Sequence, residues 1–389
     1  MTESLLLITF GVLLLASLAL DALGRLTRLP RITLLVLFGL AIGPTGADLL
    51  PIDAQRWQAL TADLALTMVA FLLGGELSRK ALRARSGAIL AVSLAVAGLS
   101  LAIIAGGLWL AGMPVALALL LGGIGLATDP AATHDVVRQT GARGPMTQTL
   151  MGVVAIDDAW GVIVFSVLLG LLLGGAAGLG AGLADGLAEV GLALALGLAL
   201  GLPASYATGR IRPGEPTLAE ALGLVLLCAG LSLWLGVSFL LAGMAAGAVI
   251  VNLARHHSYA FHEIEHISWP FLTLFFVLAG AAVDLRAADA ALPLAAGVVV
   301  LRLAGRLAGG WIGGRLGGLS PRQAGWIGVA LTPQAGVALG MALVASKALP
   351  ELGQLLLSVT ITTTIVFELV GPLLTRLALA RAGETRRPT

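Results

Sequence analysis

Apolar residues run along this chain in continuous stretches of about twenty, divided by short polar or glycine-rich breaks. Continuous runs of that length, rather than alternation, are what helices need to cross a hydrocarbon layer about 30 Å thick. Thirteen stretches can be read: about 4–22, 31–50, 57–75, 87–111, 114–136, 147–173, 188–208, 218–234, 236–254, 268–284, 291–314, 322–346 and 352–378. The eighth and ninth are divided only around Trp234-Leu-Gly236. The Gly- and Ala-rich piece from Gly174 to Gly186 reads as a loop. Arg255–Ser268, with four of the five histidines plus Glu263 and Glu265, reads as a surface connector. The first run, Leu5–Leu20, has no basic residue ahead of it and no clear cleavage site behind it. It therefore reads as a membrane helix rather than a leader.

Composition agrees with the pattern. The 389 residues are 58% hydrophobic and 11% charged, against about 25% charged in a soluble domain. The expected fold is thus an all-α polytopic membrane protein with about 13 transmembrane helices. A membrane barrel would show short alternating segments instead. The 52 glycines suit close helix approach, and Gly305, Gly309 and Gly313 mark one such packing face. The single Cys228 excludes an internal disulfide framework and reads as a small packing residue. With the N-terminus outside, cytoplasmic connections and the tail hold 18 of the 23 Lys and Arg, and the opposite connections hold only Arg56, Arg286 and Lys347. Basic residues concentrate on the cytoplasmic side of membrane proteins, so the count supports this topology. They are spread among loops, so no nucleic-acid partner is expected. After the last stretch only the short basic tail 380–389 is read, which leaves no room for a soluble nucleotide-binding domain.

Against this background six ionisable residues lie at membrane depth: Asp129, Asp157, Asp158, Arg302, Arg306 and Glu368. A charge there costs roughly 2.5–3.5 kcal/mol on insertion scales, so such groups pair or line a cavity. The adjacent Asp157 and Asp158 suggest a site for something positive. Neighbours on a helix point about 100° apart, so the two cannot both face one point; one is free to pair with an arginine while the other faces a cavity. Arg302 and Arg306, four residues apart, share a face. Glu368 is left without an assigned role, with a partner among Arg302 or the threonines left open.

Two stretches carry helix breakers: Leu126-Ala-Thr-Asp-Pro-Ala-Ala-Thr133 and Ala330-Leu-Thr-Pro-Gln-Ala-Gly336. Interrupted helices at matching places in two halves point to a transporter site built from inverted repeats. Thr128 and Thr332 are 204 positions apart, and the same offset carries Asp157 into Thr360-Ile-Thr-Thr-Thr364. The second copy therefore has threonines where the first has acids. The two breaks comprise Thr128, Asp129, Pro130 and Thr332, Pro333, Gln334. Asp129 is placed to neutralise an exposed helix N-terminus. The cluster offers oxygen ligands and no His or Cys, which suits a hard monovalent cation rather than zinc or copper. His256, His257, His262 and His266 read as solvated, and Glu76 as a surface ion pair with Arg79 or Lys80.

Ala155-Ile-Asp-Asp158 resembles the paired-acid motif of the cation:proton antiporter superfamily, in particular its bacterial sodium/proton and Kef-like branch. Leu37–Pro44, Phe71–Leu77, Ala127–Pro130 and Phe275–Gly280 resemble that family's segments in order and spacing. The resemblance implies a sodium/proton antiporter fold of thirteen helices, with inverted repeats and two crossing broken helices, in one unit over 1–379. It implies a mobile core at about 87–173 and 291–378, a dimerisation bundle at about 4–75 and 218–284, and a linker helix at about 188–208. It further implies a homodimer in the inner membrane, an elevator-like motion, and no cofactor beyond the transported Na⁺, Li⁺ or K⁺ and H⁺. Asp158 would carry cation and proton with Asp157 and Thr128 beside it, and Asp157 would pair with Arg306, or failing that Arg302. The chain departs from common patterns in joining Asp-Asp to arginine, and in carrying Thr332-Pro-Gln334 where many relatives have a charged Arg-Gly-Glu. A buried lysine can lose its proton and an arginine effectively cannot, so every proton exchanged must come from the aspartates. The rival readings are a potassium-efflux or channel-like member of the superfamily, a sodium-coupled organic-anion symporter, and an intramembrane aspartyl protease. The last needs its two acids on separate helices.

Overall fold

The computed structural model describes residues 3–27, 30–44, 46–50, 54–79, 85–173, 179–208, 217–254, 257–282, 288–334 and 336–385. Of the loop cations counted above, Arg28, Lys80, Arg83, Arg210, Arg212, Arg255, Arg286, Arg386 and Arg387 lie outside these residues, as does His256. Fifteen helices account for nearly all of the described chain, and no strand occurs among the described residues. They are α1 (Glu3–Thr27), α2 (Arg31–Ile42), α3 (Ala54–Glu76), α4 (Ser86–Leu110), α5 (Val115–Ile124), α6 (Pro130–Thr140), α7 (Pro145–Leu173) and α8 (Leu179–Thr208). The series continues with α9 (Thr217–Leu235), α10 (Phe239–Leu253), α11 (His257–Ala281), α12 (Ala288–Leu316), α13 (Pro321–Ala330), α14 (Gly336–Ala348) and α15 (Pro350–Ala382). Eight of them are long and apolar enough to cross a membrane, and α2, α5, α10 and α14 are shorter apolar helices. The protein is a multi-pass membrane protein.

The helices form two compact units, Met1–Gly75 with Gly191–Ala288, and Glu76–Val190 with Asp289–Thr389. In the first, α2 lies directly on α11: a Cβ at Gly280 would collide with the Val36 backbone, and one at Gly39 with that of Val277. Arg31 fixes the start of α2 by stacking over Trp269 at 3.8 Å and donating to Thr273 Oγ1 at 3.0 Å. In the second unit α4, α7 and α13 share a core that includes Val92, Val153 and Ile327. The Gly305/Gly309/Gly313 face of α12 seats against Ser100, Val96 and Val92 of α4. Without side chains at these three places the two backbones meet, as close helix crossings require.

Three expectations need correction. The 31–50 stretch is helical only to Ile42, because Gly43 caps α2 in an extended conformation and Pro44 follows. The 174–186 piece is not all loop, since α8 begins at Leu179; residues 174–178 lie outside the described set. Six of its thirteen residues are glycine, which propensity counts against a helix; packing favours it instead, since Gly186 lets α8 press on the Val167 backbone of α7. The 255–268 connector is helix from His257 onward. It is amphipathic: Ile264 is fully buried while His262, Glu265 and His266 face outward.

Candidate ion site

The two proline-containing stretches break as their sequences dictate. Between α5 and α6 the chain is non-helical over 125–129, and between α13 and α14 over 331–335, of which residue 335 is outside the described set. Pro130 begins α6, where its missing N–H costs nothing, and Asp129 caps that helix by accepting from Ala132 N at 3.1 Å. The two breaks meet, with Asp129 N donating to Pro333 O at 3.1 Å.

Both arginines of α12 are completely buried and reach into this meeting point. Arg302 donates to Gly125 O at 2.9 Å and Ala127 O at 2.8 Å in the first break. It also donates to Thr332 O at 2.7 Å and Pro333 O at 3.4 Å in the second. Its guanidinium lies 4.3 Å from the Phe367 ring centre. One side chain thus answers carbonyls left open at the C-terminal ends of two half-helices, where the backbone dipole is negative. Arg306 serves the first break alone, donating to Leu126 O, to Ala127 O at 3.2 Å and to Asp157 Oδ2 at 2.6 Å. The ion pair with Asp157 is therefore made by Arg306.

The two aspartates, 2% and 1% exposed, are held differently. Asp157 is fully engaged. Besides Arg306 it accepts from Thr128 Oγ1 at 2.9 Å and Ser93 Oγ at 3.2 Å. Asp158 accepts through Oδ1 from the Thr128 backbone N at 3.1 Å, and its Oδ2 meets no hydrogen-bond partner among the described residues. The expectation that adjacent acids cannot address one point needs amending, because both bind Thr128. That residue sits between them and offers its hydroxyl to one and its N–H to the other.

In the second copy the stretch that matches the aspartates carries uncharged polar groups. Thr332 Oγ1 turns back to Val329 O at 2.9 Å, and Gln334 Nε2 reaches Ile124 O at 3.5 Å while its Oε1 is unmatched. Thr360 and Thr364 are buried with unmatched hydroxyls, and Glu368 is buried one turn beyond Thr364. The Glu76 carboxylate faces His134 at 3.9 Å. No group of three or more His, Cys, Asp or Glu suited to a metal ion occurs among the described residues. Reading the sequence missed Ser93, a lone hydroxyl among small residues that carries no signal of its own. It also missed Asp63, buried in α3, whose acid inside an apolar run was a readable sign.

These observations — paired buried acids, a buried arginine partner and two crossing interrupted helices — meet an independent comparison. The transmembrane family of sodium/hydrogen exchangers matches residues 10–380. The chain belongs to that family. Two structures of the sodium/proton antiporter MjNhaP1 from Methanocaldococcus jannaschii share the fold. One, determined at pH 8, has a TM-score of 0.80 and 20% identity, covering 99% of this chain and all of that one. The other, from electron microscopy, has a TM-score of 0.75 at 20% identity over the full length of both chains. No curated protein matches the chain. Family membership sets the protein among transporters that exchange cations for protons across a membrane.

Proposed function

We propose that the protein exchanges a monovalent cation, Na⁺ before Li⁺ or K⁺, for protons by alternating access, with cation and proton competing for Asp158. The observation that carries this reading is the asymmetry of the acid pair. Asp157 has its charge matched by Arg306 and both oxygens engaged, Oδ2 also by Thr128 and Oδ1 by Ser93. Asp158 keeps one oxygen uncommitted beside the Thr128 backbone. A hard cation takes oxygen ligands, and the free Asp158 oxygen with the oxygens of Thr128 beside it would supply them. Bound cation and bound proton each cancel the charge of Asp158, and a neutralised site crosses a low-dielectric barrier far more easily than a bare carboxylate. Each is therefore a permit for the same movement, which is what exchange requires. No cofactor enters this scheme; the ions are cargo.

The reading extends to architecture. The unit holding both breaks would be the moving core, and the unit formed by α1–α3 and α9–α11 the scaffold through which a homodimer forms. The fifteen helices would make thirteen crossings of the cell's inner membrane, N-terminus outside and tail in the cytoplasm. In proteoliposomes with an imposed Na⁺ gradient, proton movement followed by an internal pH dye is expected to fall to background in Asp158→Asn. Retained exchange in that variant sinks the assignment.

A further inference from the structure

The segment after the last helix reaches back into the machinery. α15 ends in a left-handed turn at Gly383 (φ 81), which hands the chain to Glu384. That side chain is buried, 8% exposed. Its Oε1 accepts from Met146 N at 2.9 Å, and its Oε2 from Thr147 N and Thr147 Oγ1, both at 2.7 Å. The Glu384 carbonyl also takes Arg143 N at 2.9 Å. Met146 and Thr147 are the second and third residues of α7, whose open N–H groups are normally served by the side chain just ahead of the helix. Here that place belongs to Gly144, which has no side chain, and a Cβ on it would strike the Glu384 carboxyl. The cap therefore comes from 238 positions away along the chain, with a negative charge set at the positive end of the helix.

The same carboxylate binds a second element. Gln323 Nε2 donates to Glu384 Oε1 at 2.8 Å, while Gln323 also closes the capping box of α13 with Ser320. α13 leads into the second break, and α7 carries Asp157 and Asp158. Arg322 Nε adds a bond to the Arg381 carbonyl, and the Arg381 guanidinium lies over Trp326 at 5.7 Å. One tail residue thus fixes the starts of the two helices that lead to the ion site.

We propose that Glu384 is a positioning residue: it caps α7 in trans and locks that helix to α13, so that the C-terminal tail sets where Asp158 stands relative to the crossing. A rigid helix passes a shift at its first turn to Asp158, thirteen residues or roughly 20 Å along. The transport half of this proposal rests on the assignment of Asp158, and the capping half does not.

The test uses the full-length protein in two variants that disturb the cap from opposite sides, Glu384→Ala and Gly144→Ala, with Glu384→Gln as the conservative control. Amide hydrogen exchange at Met146 and Thr147 is expected to speed up roughly five- to tenfold in the first two, the scale of a lost helix cap. In proteoliposomes the same two variants are expected to shift the half-saturating Na⁺ concentration several-fold per folded protein, with Glu384→Gln, which keeps one accepting oxygen but loses the charge and the other acceptor, falling between wild type and Glu384→Ala in both readouts. Unchanged amide exchange in both alanine variants overturns the cap. Faster amide exchange with an unaltered Na⁺ dependence overturns the positioning role and leaves only a staple. Continued transport in Asp158→Asn would instead strike the ion-site assignment, with the amide readout still standing.

Discussion

The two interrupted spans are built alike and charged differently. Each has a Thr-containing break opened by proline, each is followed by a short helix and then a long one carrying buried polar residues, and each gives carbonyls to Arg302. The first adds Asp129, Asp157 and Asp158, and the second adds threonines, Ser358, a glutamine and the buried Glu368. The shared geometry thus belongs to the scaffold, a crossing whose open backbone ends need answering. On the proposed reading the chemistry belongs to the copy that carries the aspartates. Arg302 serves the scaffold, binding both breaks, and Arg306 serves the site, binding the first break and Asp157.

That division can be broken experimentally. The largest effect is expected at the acid copy, where Asp158→Asn abolishes exchange while its folding is kept. Next comes Arg306→Ala, which strands the buried Asp157 carboxylate. Loss of one partner of a buried pair costs about 3–5 kcal/mol, to be read as a large fall in thermal stability together with lost transport. Arg302→Lys should sit below it, since an ammonium cannot fork across carbonyls of both breaks. A loss of about 1–3 kcal/mol is expected, the scale of one unsatisfied buried group, against a greater loss for Arg302→Ala. The smallest effect sharpens the contrast between copies. Thr128→Val removes a hydroxyl in use and should cost about 1 kcal/mol or more. Thr364→Val removes one without a partner and should be neutral or slightly stabilising. Equal costs at Thr128 and Thr364 would erase the distinction drawn here.

The membrane fold, the interruptions and the acid pair were legible because each violates a strong rule: apolar length, an intact helical ladder, and the absence of charge at depth. The 204-residue offset linked the breaks without any knowledge of where they lay in space. What stayed hidden has physical reasons. The end of α2 was marked by Gly43-Pro44 inside an apolar run whose length argued for continuation, whereas the start of α8 at Leu179 depends on packing against α7 that glycine-rich sequence does not announce. The polar face of α11 concealed a helix because its buried positions, Ile264 among them, are few between histidines and glutamates. Thr128 serves both aspartates through different atoms, and only a folded backbone could bring its N–H and its hydroxyl to two sides. The trans cap by Glu384 was equally invisible, because nothing local at Gly144 calls for a residue in the tail.

The central claim is that one carboxylate does the exchanging while its neighbour is held by a fixed positive charge. An arginine gives up no proton and Asp157 is matched in place, so on the proposed reading a single site would turn over one proton for each monovalent cation. The direct measurement is Na⁺/H⁺ exchange in proteoliposomes under a potential set by a potassium ionophore, across a range of Na⁺ and pH gradients. The account predicts that flux reverses where the Na⁺ and proton gradients are equal, whatever the potential. A reversal point that moves with potential would show unequal numbers of protons and cations per cycle and contradict it.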